Sequence, residues 1–294
     1  MPKSSRESGF ARVEHARTGI VEEAGFLDVD GERVFAVRHL PPRPADAGLV
    51  ICCPVFAEFE KNYRREVPLA RSLAAAGIAV QRFHYRGTGH SDDADTTFDT
   101  MLEDARLAAR ALAERAEVDV LAFMGTRLGA LPAAAAAAEF PGGPLALWEP
   151  VVTPEAYFRE IVRYRRLLDV RKGQAADVIP LVDELADNGA VEVVGYRLGR
   201  PLHDSMSGRA LRRELGAASR PILLVQFGQP QRPLRAEYRA LRDELAADGF
   251  DVETAVASLD EMWLFAQQWQ PPERLLTLTA EWLRRRLLRT PAPA

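Results

Sequence analysis

Apolar and polar positions along this chain alternate in two regular stretches with an irregular one between them. The run 49-LVICCPVF-56 is continuously apolar, as suits a central strand buried on both faces. Residues 64–76 then place Val67, Leu69, Leu73 and Ala74 at helical spacing, and Gly77 stops that helix. The pattern repeats: a strand over 78–83, an amphipathic helix over 98–116, and a strand over 118–124. A Gly turn and an alanine-rich helix follow; 141-PGGP-144 breaks that helix, and 145–150 reads as another strand. Alternation resumes late, with a strand over 221–227, a helix over 235–248, a strand over 250–256 and a terminal helix around 272–289. Two short strands near 25–30 and 33–40, split by the turn pair Gly31-Glu32, precede all of this, and 41–48 is a loop.

Strand–helix alternation on both sides predicts an α/β fold with one mostly parallel sheet and helices on both faces. The irregular stretch, residues 154–215, reads as two or three helices with one extended piece at 191–196. It is expected as a helical cap inserted above the strand C-termini, where ligands of such sheets bind. Residues 1–20 are expected as a loose polar arm. The core then comprises residues 21–153 and 216–290.

The most informative motif lies between a strand and a helix: Gly125, Thr126, Arg127, Leu128 and Gly129. Its spacing is that of the Gly-x-Ser-x-Gly turn that presents a serine nucleophile, with arginine where the serine would stand. A guanidinium stays charged and does not attack a carbonyl, so Arg127 calls for an anion, from a ligand or from the protein. The loop 52-CCPVFAEFEKNYRR-65 occupies the place of an oxyanion loop, and Glu58 in it lies where an ion pair with Arg127 is expected. The turn 87-GTGHSDD-93 reads as structural, with His84 and His90 as surface loop histidines. A triad would also need an acid after 221–227 and a histidine after 250–256. The first loop carries Gln231 near that place, and no histidine occurs beyond His203. Cys53, Thr126, Ser205 and Glu149 are the available substitutes, and none has an evident base partner.

Composition narrows the setting. The chain has 294 residues and a net charge of −4, which argues against general nucleic-acid binding. Its two cysteines are adjacent, at Cys52 and Cys53, and no disulfide framework is expected. The polar start has no apolar core of a signal peptide, and no window reaches the length of a membrane span. A cytoplasmic protein is expected, with no metal and no cofactor.

Five ordered segments, 54-PVFAEFEKNYRR-65, 87-GTGHSDD-93, 125-GTRLGA-130, 148-WEPVV-152 and 195-GYRLG-199, resemble the exosortase A system-associated hydrolases, most nearly their second type. The resemblance spans about residues 49–265. It implies an α/β-hydrolase fold, a role beside exopolysaccharide or protein-sorting systems, and an elbow that carries arginine. It also implies that Glu58 and Arg127 share a site. The chain departs from that family at Phe59-Glu60-Lys61-Asn62, where an acidic residue, Met, Asn and Lys are usual.

The expected function is therefore that of an α/β-hydrolase-type protein without the Ser-His-Asp triad, a pseudoenzyme with an anion-binding pocket for a small carboxylate or acyl molecule. Glu58 and Arg127 are the candidates for chemistry. Phe56, Ala57, Thr126, Leu128, Trp148, Glu149 and Trp263 are the expected ligand contacts. One alternative is a hydrolase, lyase or transferase that uses Glu58 without a serine. Another is a non-catalytic protein that docks a protein partner through the cap, where Arg159, Arg163, Arg165 and Arg166 cluster.

Overall fold

The structure is a computed structural model that describes residues 7–140, 142–171, 180–259 and 272–288. A nine-stranded sheet runs through it. In chain order its strands are β1 (Glu7–Glu14), β2 (Val21–Val29), β3 (Glu32–Leu40), β4 (Ala47–Cys52), β5 (Ile78–Phe83), β6 (Leu121–Thr126), β7 (Leu145–Trp148), β10 (Pro221–Gly228) and β11 (Asp251–Ser258). In space the order is β1-β2-β3-β5-β4-β6-β7-β10-β11. The first strands pair antiparallel, and from β5 onward every pairing is parallel. β4, β5, β6 and β7 are buried along their whole length, which is why their sequences read as unbroken apolar runs.

Helices cover both faces. α1 (Ala57–Ala76) and α9 (Glu273–Leu287) pack on one side, joined to Ile51, Met124 and Trp148. α2 (Phe98–Ala116), α3 (Ala130–Glu139) and α8 (Ala236–Ala247) pack on the other. Between β7 and β10 lie α4 (Pro154–Arg171), α5 (Leu181–Asn188), a hairpin of β8 (Ala190–Val193) and β9 (Tyr196–Gly199), α6 (Arg200–Met206) and α7 (Leu211–Glu214). Phe158, Leu185, Val191 and Leu211 of this stretch join the same apolar cluster as α2 and α3, so it is packed against the core rather than hung beside it.

Three local features differ from the sequence reading. Residues 7–14 of the expected loose arm form an edge strand on β2. Phe10 anchors it, stacked under Arg38 and against Gly25, where any Cβ would come within 2.7 Å of its ring. One aromatic beside an exposed Val13 gives little periodic signal. Second, α1 begins at Ala57 rather than residue 64, because its buried face there is polar: Glu58, Asn62, Arg65 and Glu66. A search for apolar spacing passes over such a face. Third, β6 starts at Leu121 and runs to Thr126, since Glu117 adopts a left-handed backbone that closes α2.

Candidate functional site

The elbow is set by two glycines. A Cβ on Gly125 would lie 2.5 Å from the Ala130 Cα, and one on Gly129 would lie 2.3 Å from the Cys53 carbonyl oxygen. Only glycine lets β6 turn this tightly into α3 while β4 passes alongside. Arg127 sits at the turn with φ 51°, a left-handed backbone uncommon outside glycine. Its carbonyl accepts from the Val151 N–H at 3.1 Å, tying the elbow to the end of β7.

The Arg127 side chain is buried, 5% exposed. One terminal nitrogen donates to the Glu149 carbonyl oxygen at 3.3 Å, and the other to Glu160 Oε2 at 3.1 Å. Its Nε lies 3.7 Å from Glu58 Oε1, and the guanidinium stands 5.4 Å from the Tyr157 ring centre. Burial holds the Glu58 carboxyl protonated well above the usual range, an effect that the Arg127 charge only partly opposes. Arg127 stays charged, since burial is outweighed by the acidic groups around it. Glu160, whose side chain is 31% exposed, is the hydrogen-bonded acidic partner of Arg127.

Phe56, Ala57 and Glu58 line a small cavity with Tyr157, Glu160, Tyr164, Ile161, Val193 and Val194. Its volume is about 20 Å³, room for roughly one water. Phe56 is strained there, with φ 57° and ψ −147°.

Of the remaining expected contacts, Glu149 meets Arg127 through its carbonyl oxygen, and the side chains of Thr126, Leu128 and Trp148 face away. Thr126 is fully buried and faces α1, where its Oγ1 accepts from Asn62 at 3.3 Å. Leu128 is core. Trp148 is core on the opposite side of the sheet, donating to Thr279 Oγ1 of α9 at 3.0 Å. Glu149 is fully buried. It accepts from the Phe227 N–H at 2.6 Å and from Arg235, and burial raises its carboxyl above the usual range. Trp263 lies outside the described residues.

His90 is an exposed loop histidine as expected, but His84 is not. His84 is buried among Phe35, Phe59 and Tyr63, its Nδ1 accepts from the His90 N–H at 3.0 Å, and burial pushes it down to about 3. Cys52 and Cys53 are free and buried, the former pushed up to about 12 by burial, so neither is an available thiolate.

The sequence reading missed Tyr157, Glu160, Ile161 and Tyr164. Their spacing of three, four and seven is one helical face, and a glutamate on an otherwise apolar face was the available signal. It also missed Arg235, which sits on the loop where a triad acid was sought.

β2-β3-β5-β4-β6-β7-β10-β11, with its antiparallel second strand, a Gly-flanked elbow after β6 and an insertion after β7, is the arrangement of the α/β-hydrolase fold, and this chain has that fold. It matches no protein-family model and no curated relative. Solved structures agree on the fold. Est1E from Butyrivibrio proteoclasticus gives a TM-score of 0.60 at 18% identity, covering 90% of this chain and 99% of that one. Its form with ferulic acid bound gives 0.62 at 19% over the same shares. An esterase from Pyrococcus furiosus gives 0.63 at 13% identity, covering 94% and 96%. At such identities the likeness speaks for the fold alone. Among the described residues no helix is long and apolar enough to cross a membrane.

Proposed function

We propose that this protein binds a small carboxylate or acyl molecule at Arg127 and does so without serine-hydrolase chemistry. The supporting observation is the bond between Arg127 and Glu160. A permanently charged, buried guanidinium requires a carboxylate, and here the partner comes from α4 and keeps contact with solvent. A ligand carboxylate can take that place once α4 yields, which the closed volume of the cavity makes necessary. The arginine at the elbow is also what ties the chain, by resemblance, to the exosortase A system-associated hydrolases. Esterase structures of the same fold make an acyl-type ligand a natural class. The test is titration with propionate and with a propionyl thioester, comparing wild type with Arg127→Ala. Binding that disappears in the variant supports the reading, and equal affinities sink it.

A second reading is favoured by Glu58. It lines the cavity beside Arg127, and burial raises its carboxyl well above the usual range, as suits a general acid. Turnover of ester, thioester or amide panels that vanishes in Glu58→Gln would place catalysis there. Arginines along α4 leave a third reading, docking of a protein partner, which deletion of residues 154–215 in a pull-down would test.

A further inference from the structure

A second cavity of about 220 Å³ lies beside the first, between the loop after β5 and the β8–β9 hairpin. Phe56 lines both. One wall of the larger cavity is apolar, made by Val55, Phe56, Phe59 and Leu202. The other carries Thr88, Thr96, Asp93, Asp95 and Tyr196, and here the hydrogen bonds decide the chemistry. Thr88 Oγ1 donates to the Tyr85 carbonyl at 2.7 Å, and Thr96 Oγ1 donates to the Arg86 carbonyl at 3.0 Å. The Tyr196 hydroxyl donates to Glu60. All three hydroxyl protons are thus committed elsewhere, and Asp93 and Asp95 present carboxyl oxygens. These side chains offer the cavity acceptors. Arg197, which also lines it, is turned to solvent and lies 3.8 Å from Asp95.

We infer that this cavity is a binding compartment for a ring-sized apolar group that carries hydroxyl donors, a phenol or catechol. Size agrees: a cavity of roughly 150 Å³ takes benzene, so the present one holds a substituted ring. Chemistry agrees as well, since an apolar wall faces acceptors that a donor-bearing ligand complements. Contiguity through Phe56 makes the compartment the natural seat for the body of a molecule whose carboxylate meets Arg127. That last link rests on the proposed function, whereas the compartment itself does not.

The experiment is a titration of the full chain followed by chemical shifts or calorimetry, with phenol, anisole, propionate and 3-(4-hydroxyphenyl)propionate as probes. Phenol is expected to bind at least tenfold tighter than anisole, which has the same ring and no donor. Leu202→Trp, which fills the cavity, is expected to abolish phenol binding and spare propionate. Thr88→Phe fills it from the half-exposed side, should the buried change unfold the chain. The bifunctional acid is expected to compete with both simple probes. Anisole binding as well as phenol, or phenol binding that survives both filled variants, overturns the compartment. Propionate binding unaffected by Arg127→Ala overturns the Arg127 reading instead, while leaving the phenol result standing.

Discussion

Arg127 reaches from the elbow after β6 to Glu160 on α4, at 3.1 Å, and so joins the sheet to the helix that covers the site. Glu58 lies beside them, 3.7 Å from Arg127 Nε, and burial raises its carboxyl well above the usual range. Removing the Glu160 charge leaves Arg127 buried and seeking an anion. Glu160→Gln is expected to lower the melting temperature in plain buffer and to strengthen propionate binding. A half-exposed ion pair is worth about 1 kcal/mol, so the gain in affinity is on the order of three- to tenfold. Calorimetric titration of the variant beside wild type checks it, and unchanged affinity would mean that Glu160 and the ligand do not compete.

The elbow keeps the form of a nucleophile turn, and the proposed function takes it to work without serine chemistry. Arg127→Ser restores the serine, yet Glu149 at the end of β7 is bound by Arg235 and Phe227, and no histidine follows His203. The serine would have no base to take its proton. Hydrolysis of p-nitrophenyl acetate by this variant is expected to stay at the level of wild type. Burst kinetics with acyl-enzyme accumulation would refute the absence of a working triad.

Gly125 and Gly129 fail for a steric reason that is separable from backbone strain. Gly129 has φ −61°, which alanine adopts freely, so only the 2.3 Å approach to the Cys53 carbonyl opposes a side chain there. Gly129→Ala is expected to cost about 2–4 kcal/mol, since neighbouring backbone rather than a flexible side chain must move. Urea unfolding measures this. A midpoint within error of wild type would mean that the turn can open.

Those same glycines explain how much of the molecule was legible in its sequence. Buried parallel strands such as β4 and β6 show as apolar runs, and the elbow shows as two glycines at fixed spacing, so the sheet and its nucleophile turn could be read directly. α1 could not be read from its start, because Glu58, Asn62 and Glu66 face inward there and mimic a solvated loop. Trp148, expected as a ligand contact, packs on the far face of the sheet. It ends a strand that points at the site, but alternation sends its side chain to the far face of the sheet, and an indole in a sequence carries no label for which face it takes. Glu160 was overlooked because tertiary packing, not helical propensity, gives that glutamate its role.

Glu66 offers a pH-dependent measure of the polar interior behind the elbow. Burial pushes its carboxyl up to about 7, while Asn62 Nδ2 donates to it at 2.6 Å and also to Thr126. The folded chain therefore keeps a proton that the unfolded chain releases near pH 4.5. Stability from this group is fully present below that pH and is lost as pH rises through about 7. Glu66→Gln retains an acceptor for Asn62 and cannot ionise. Its melting temperature is expected to fall less than that of wild type between pH 5 and 8, a difference on the order of 3 kcal/mol at the upper end. Parallel pH profiles of the two proteins decide it, and superimposable profiles would mean that Glu66 ionises normally.

The bond from Trp148 to Thr279 separates the core from the site most cleanly. Both side chains are buried, and the indole N–H donates to the threonine hydroxyl at 3.0 Å on the α1–α9 side of the sheet. Thr279→Val keeps the shape and removes the acceptor. A buried N–H left unsatisfied costs about 1–3 kcal/mol, so the variant is expected to unfold at correspondingly lower urea. Its affinity for propionate is expected to equal that of wild type, because Arg127, Glu58 and Glu160 meet at the strand ends and none of them touches this pair. A variant that keeps its stability but loses propionate would return Trp148 to the ligand site.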